Sequence, residues 1–227
     1  MRTIRTFFLP GAVIALCAAR CSGPALSIMP GYSKTDFRDA VCGVILIKKN
    51  MTINNPVELS AVFGGGDALG HYCSLFGDSF PAILKERTRF RQVEFLKGTD
   101  ENMRRNAARL NASGSGGAAV TVPSRRNYVD AKYRYLLIVD FCTVSRDRNT
   151  GVPMLGNEGN FTGFGAGLDF AKFSAMFVVW DNAKASIVAY GTVKEQTATG
   201  GEYTKTTLVE LLRLAAASIA RGMPFKK

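Results

Sequence analysis

The residues that could carry chemistry in this 227-residue chain are few, and the first group lies in one short stretch, VFGGGDALGHYC, residues 62–73. It holds the chain's single histidine, His71, two positions before Cys73. A cysteine or serine nucleophile needs an imidazole within hydrogen-bond reach as its base. Two positions apart on a helix, His71 and Cys73 point to different sides, so they do not form such a pair. They also supply only two soft ligands, and no C-x-x-C motif completes a zinc set. The glycines before them have the spacing G-G-G-x-x-x-G at 64–70. A glycine loop at a helix N-terminus can cradle a phosphate, because backbone N–H groups and the helix dipole point at the anion. This spacing is neither G-x-G-x-x-G nor a P-loop ending in G-K-[ST]. Asp67 would place a negative charge where a pyrophosphate should lie. Glu94 falls in the middle of the next strand rather than at the tip, where a ribose-binding acid belongs. The loop reads as a flexible lead-in to a helix, with a nucleotide- or phosphate-binding enzyme as an alternative. Asp140 and Asp169 would support acid–base work only if neighbouring strands brought them together. No catalytic, cofactor-binding or metal-binding residue is assigned.

Charge is the stronger signal. The formal net charge is +11, and eight Lys/Arg stand between Lys85 and Arg109 against four acids. Arg125, Arg126, Lys132 and Arg134 follow, interleaved with Tyr128, Tyr133 and Tyr135. We take Arg87, Arg89, Arg91, Arg104, Arg105, Arg125 and Arg126 as candidates for binding an anionic partner. In the cytosol such a basic, aromatic-interleaved set would point to nucleic acid. Behind an export signal it points to an envelope protein, an anionic membrane or an acidic glycan, and no nucleic acid is expected.

An export signal is what the first twenty residues resemble. MRTIR is basic, TFFLPGAVIALCAA is apolar and uncharged, and small residues follow. The run of about 14 residues is shorter than the ~20 of a comfortable span. Cleavage after Ala19 fits the small-x-small rule, with Cys17 and Ala19 at its two positions. ARCSG is also similar to a lipoprotein processing site, which would make Cys21 the acylated first residue. Arg20 and Ala18 depart from that pattern. The expected organisation is a signal peptide at 1–20, a leader at 21–39 and one α/β domain at 40–224. At 47% hydrophobic the chain can bury one full core. Cys42, Cys73 and Cys142 fall inside the domain; an oxidising compartment permits disulfides without fixing a pairing. Cys42 and Cys142 lie in apolar runs and read as buried thiols.

The elements that must position these residues follow from hydrophobic period. AVCGVILIKK (40–49) is a continuous apolar run, hence a strand buried on both faces. Residues 57–63 read as a short strand or a helix start. Leu69, Tyr72, Cys73, Phe76, Phe80, Ile83 and Leu84 step at helical spacing, with Asp67 as N-cap and a kink or short break expected near 77–81 because of Pro81. Residues 91–97 alternate as a strand. Residues 99–111 predict a polar helix capped by Thr99 or Asp100. A flexible loop at 112–119 and a strong strand at 133–144 follow. A Gly/Asn-rich connection at 145–167 precedes FSAMFVVWD and ASIVAYGTVK, which predict a hairpin around NAK. Asp181 is assigned to its turn. TTLVELLRLAAASIARG is a helix with Thr207 and Glu210 as a capping box and Gly222 as its stop. The fold class is α/β: a three-layer or two-layer mixed sheet with parallel strands, an antiparallel hairpin and a C-terminal helix.

In this order, AVCGVILIKK, RQVEFL, YRYLLIVDF, the MFVVWDNAKASIVAYGTV hairpin and the closing helix resemble the amino-terminal α/β domain of TolB and the curli-export lipoproteins. The likeness spans residues 40–222 by order of elements. It implies an exported envelope protein that acts by assembly and contact, with no catalytic residues to transfer. The expected function is thus a non-enzymatic scaffold or adaptor, periplasmic or anchored to the outer membrane, that binds another envelope component. An alternative is a homo-oligomeric export-channel subunit in which 145–175 supplies a membrane hairpin.

Overall fold

The computed structural model describes residues 26–32, 37–99, 103–106, 120–148, 153–155, 161–164 and 169–227. Cys21, the signal-like run and the 112–119 loop lie outside them. In chain order the elements begin with β1 (Leu26–Ile28), β2 (Val41–Leu46), β3 (Thr52–Ile53), α1 (Pro56–Val62), α2 (Ala68–Arg87) and β4 (Gln92–Phe95). They continue with β5 (Met103–Asn106), β6 (Val120–Pro123), β7 (Tyr133–Arg148), β8 (Pro153–Leu155), β9 (Phe161–Phe164), β10 (Asp169–Asp181), β11 (Ser186–Ala198) and α3 (Lys205–Arg221).

One mixed sheet organises them, in the order β1-β11-β10-β7-β2-β4, with β3 added to the far end of β7. β4, β2 and β7 are parallel, whereas β7, β10, β11 and β1 are antiparallel. This is the expected α/β mixed sheet with its hairpin and closing helix. Helices cover one face. Leu59 of α1, Tyr72, Phe76, Phe80 and Leu84 of α2, and Leu208, Leu211, Leu212 and Ile219 of α3 pack there on Val44, Leu137, Phe173 and Phe177. On the other face Ile45, Leu136, Ile138, Val178 and Trp180 are covered by Met103 and Val122 of the β5–β6 ribbon. That double cover explains why β2 is apolar at every position.

Several expectations are corrected. Of the two readings left open for residues 57–63, the helix is the one found, over Pro56–Val62: Pro56 opens α1, where its missing N–H is harmless. α2 runs through 77–81 without a break. Gly77 is needed there for a different reason, since a Cβ on it would lie 2.6 Å from the Phe95 ring. Pro81 is itself buried among the apolar residues that hold the helix on the sheet. Residues 103–106 of the expected polar helix form a strand, because β6 offers a pairing partner for a segment whose apolar stripe is thin. α3 is capped by Thr204, whose hydroxyl accepts from Thr207 N at 3.2 Å. Thr207 therefore lies inside the helix and Glu210 pairs with Arg213. Part of the 145–167 connection is strand, in β7, β8 and β9. The leader at 21–39 also contributes to the domain. β1 pairs with β11, and Phe37 is fully buried against Phe90, Tyr135 and Phe225.

Two polar hubs fasten the layers. Phe141 has φ 47° at a bulge in β7, and the extra residue lets both Val139 and Cys142 face the helices. Asp140 holds this bulge, accepting from Phe141 N at 2.8 Å and from Asn50 Nδ2 at 2.7 Å. Further along β7, Arg146 meets Asp169 of β10 at 2.5 Å, Glu58 of α1 at 3.4 Å and the Gly201 carbonyl at 2.9 Å. Its backbone N–H donates to Asn55 Oδ1, so this one residue joins α1, β10 and the approach to α3.

Candidate anion-binding end

α2 and α3 run side by side and end at the same end of the sheet, the end where β2 begins. A helix leaves its last carbonyls unsatisfied and carries partial negative charge there, which favours cations in the last turn. Lys85 and Arg87 occupy that position in α2, and Arg221 does so in α3. The tail after α3 then folds back across α2. Phe225, 1% exposed, packs tilted against Phe90 with ring centres 4.7 Å apart, and its carbonyl accepts from Arg89 N at 2.7 Å. Lys226 bridges to Thr88, and Lys227 N donates to the Arg87 carbonyl at 3.2 Å. Lys85 is spent on the Phe90 carbonyl.

The outcome is a cleft of about 350 Å³ lined by Arg87, Arg221, Lys226 and Lys227, floored by Ala217 and Ala220, with Glu86 as its one acidic side chain. Among the described residues none of these four cations has a carboxylate within ion-pair distance. Arg89 and Arg91 are exposed beside it, the latter held by its N–H on the Ala40 carbonyl at 2.9 Å. An arrangement of unneutralised cations on a small-residue floor can hold phosphate, sulfate or carboxylate groups by charge-assisted hydrogen bonds.

The seven expected arginines therefore do not form one surface. Arg87, Arg89 and Arg91 join this end. Arg125 and Arg126 are exposed in the loop after β6, on the opposite face of the sheet. There Arg125 lines a separate polar cleft of about 500 Å³ with Thr99, Ser124 and Tyr128. That loop is tied down by Asn182, whose Oδ1 accepts from Tyr128 N at 2.9 Å. Arg104 and Arg105 stand on β5 opposite Val122 and Thr121. Sequence reasoning missed Arg221, Lys226 and Lys227. Their signal was the basic ending RGMPFKK, whose neighbour across the fold is more than 130 positions earlier.

The other candidates resolve as structure. Gly64, Gly65 and Gly66 all have positive φ, so the loop needs glycine. It closes on itself, however: Ser60 Oγ donates to the Gly66 carbonyl at 2.9 Å, and His71 Nε2 lies 3.0 Å from the Gly65 carbonyl. Asp67 caps α2 through Leu69 N at 3.1 Å, which puts a carboxylate where a phosphate would sit. His71 stacks on Phe63 at 5.2 Å while Cys73 points into the core. Asp140 and Asp169 serve the two hubs and do not converge. Asp181 is fully buried in the hairpin turn, accepting from Ala183 N, Lys184 N, Tyr32 and Arg134. Glu94 accepts from Tyr133 and Lys132, bonds that hold its carboxyl below the usual range. Cys42, Cys73 and Cys142 are buried thiols that form no disulfide with one another; burial pushes the Cys42 thiol up to about 12 and raises that of Cys142 as well. Among the described residues no three His, Cys, Asp or Glu side chains gather closely enough to hold a metal. No described helix is long and apolar enough to cross a membrane.

No protein-family model matches the chain, and no curated protein matches it. Solved structures do show distant similarity. One is a putative neuraminyllactose-binding hemagglutinin homolog from Helicobacter pylori, 10% identical, with a TM-score of 0.39 over 84% of each chain. Another is the PelC dodecamer from Paraburkholderia phytofirmans, 10% identical, with a TM-score of 0.38 over 89% of this chain and 98% of that one. A third, from Xanthomonas campestris, is 9% identical with a TM-score of 0.33 over 86% of this chain and 85% of that one. Likeness at these scores carries no argument about function.

Proposed function

We propose that this chain is exported to the cell envelope and works there by contact, as a scaffold or adaptor, rather than by turning over a substrate. The observation that carries the reading is the basic end. Four cations on two helix ends and a folded-back tail surround one cleft, and among the described residues none of them is ion-paired with a carboxylate side chain. Like charges gathered in this way repel one another and lower stability unless an anion neutralises them. The basic–apolar–small order of residues 1–20 supports export, and acylation at Cys21 would anchor the product. A shared architecture with the TolB amino-terminal domain and the curli-export lipoproteins belongs to the same proposal.

Self-association is a second reading, favoured by one observation at the opposite end. Val57 is 81% exposed on a cleft of about 480 Å³ lined by Met51, Ile53, Pro56 and Leu69. The segment proposed as a membrane hairpin enters the central sheet at both its ends. Arg146 and Lys172 are ion-paired there, which favours a place in the sheet over a lipid-facing row.

Fractionation of cells making the full chain, with mass spectrometry of its N-terminus, tests the proposal. The expected product begins at Cys21 or just after Ala19 and is found in the envelope fraction. Recovery from cytosol with Met1 intact would overturn it.

A further inference from the structure

We infer that the cleft between the ends of α2 and α3 docks on the phosphate groups of an anionic bilayer. The inference rests on the export reading above and names the partner of the basic end. Its chemistry selects among anionic partners. A protein partner is gripped by aromatic or large aliphatic anchors sunk into pockets, ringed by polar contacts. Here the only apolar lining is Ala217 and Ala220. The exposed large hydrophobic residues among those described, Val57 and Phe141, both lie elsewhere. Single-stranded nucleic acids need stacking faces, and the aromatic residues near the cleft, Phe37, Phe90 and Phe225, are buried in the plug beneath it. What remains is charge density on long flexible side chains, which is what a phosphate-rich leaflet reads.

The path of the chain sets how far the domain can stand from an anchored N-terminus. Tyr32 OH donates to Asp181 at 3.2 Å and Phe37 packs on Phe225 at 5.5 Å, so Tyr32 and Phe37 are fastened at the same end as Lys226 and Lys227, whereas β1 enters from the other end, with Leu26 level with Gly191, Val139 and Leu46. The six residues between Ala19 and Leu26 span at most roughly 20 Å when fully extended. A membrane-held N-terminus would thus keep the domain close to the bilayer.

The test compares the full chain with two quadruple variants by co-sedimentation with vesicles of phosphatidylcholine, with and without phosphatidylglycerol. The reading is the ratio of the two partition coefficients, in which the contribution of the apolar N-terminal run cancels. Arg87→Gln/Arg221→Gln/Lys226→Gln/Lys227→Gln removes the cleft charges. Lys48→Gln/Lys49→Gln/Lys97→Gln/Lys205→Gln removes the same charge from the opposite end. Each cation at an anionic leaflet changes partition by about fivefold, so the cleft variant should lower the ratio at least about tenfold and the control less than about threefold. Equal losses in both would mean that only net charge matters, and would overturn the inference. So would an unchanged ratio in the cleft variant alongside lost binding to heparin or polyglutamate, which would assign the cleft to a glycan or an acidic protein. All eight side chains lie at the surface, and cooperative melting with unchanged far-UV circular dichroism confirms that the variants fold. The ratio is read on purified protein, so its failure is distinct from a failure of export, which is read at the mature N-terminus.

Discussion

Removing the Arg146 guanidinium should loosen the whole end of the sheet opposite the basic cleft. Arg146→Met keeps most of the aliphatic stem and deletes the charged fork. The side chain is only 8% exposed, and its Asp169 partner is 18% exposed. Breaking a buried ion pair from one side costs ~3–5 kcal/mol, because the surviving charge stays desolvated. Two features reduce that figure here. Glu58 is 32% exposed, so its share is that of a surface pair, below about 1 kcal/mol. The Gly201 carbonyl lies on an exposed loop, where water replaces the lost bond. A net loss of about 2–3 kcal/mol is expected, or a fall in Tm of about 4–12 °C for a domain of this size. Urea and thermal unfolding measure it directly. Asp169→Asn and the double variant complete a cycle, whose coupling energy should be about 1–3 kcal/mol. A loss below about 0.5 kcal/mol, or strict additivity in the cycle, would refute the claim that Arg146 fastens α1 and β10.

Gly77→Ala should cost about 1–3 kcal/mol by overpacking, since its new Cβ would fall 2.6 Å from the Phe95 ring; denaturant midpoints would show it. Thr204→Ala should cost about 1 kcal/mol and Thr207→Ala clearly less, because only Thr204 caps α3. The reverse order in chemical denaturation would restore Thr207 as the cap. Glu94 has a folded pKa held below its unfolded one by Tyr133 and Lys132. Its contribution is therefore present above the ordinary carboxylate range and lost as pH falls through the depressed value. Tyr133→Phe should flatten the acid limb of the stability–pH curve between those two values, and an unaltered limb would count against the bond. Alkylation of Cys42 at neutral pH should be slow in the folded protein and fast in urea, given a thiol pushed up to about 12; mass spectrometry of timed samples checks this.

Much of the fold was legible because hydrophobic period is a local property. The six buried positions of β2, the apolar stripe of α2, the Asp67 cap and the β10–β11 hairpin were each readable within a window of fewer than about twenty residues. The errors came where a distant partner overrode a local tendency. Residues 103–106 pair with β6 instead of coiling into a polar helix. Pro81 stays inside α2 because the core face around it holds the helix together. β1 and Phe37 join the domain through contacts with residues far along the chain.

The same division holds for the site. Sequence alone determined that the protein is strongly basic, that it opens with an export-like run, and that its glycine loop carries an acid in the phosphate position. Only the tertiary structure decided which charges act together. Arg87 and Lys227 meet because α2 and α3 end side by side and Phe225 pins the tail between them, while Arg125 is carried to the opposite face by a loop bonded to Asn182. Charge is a property of each residue and can be counted along a chain. Convergence depends on packing between segments, and that is settled only when the core closes.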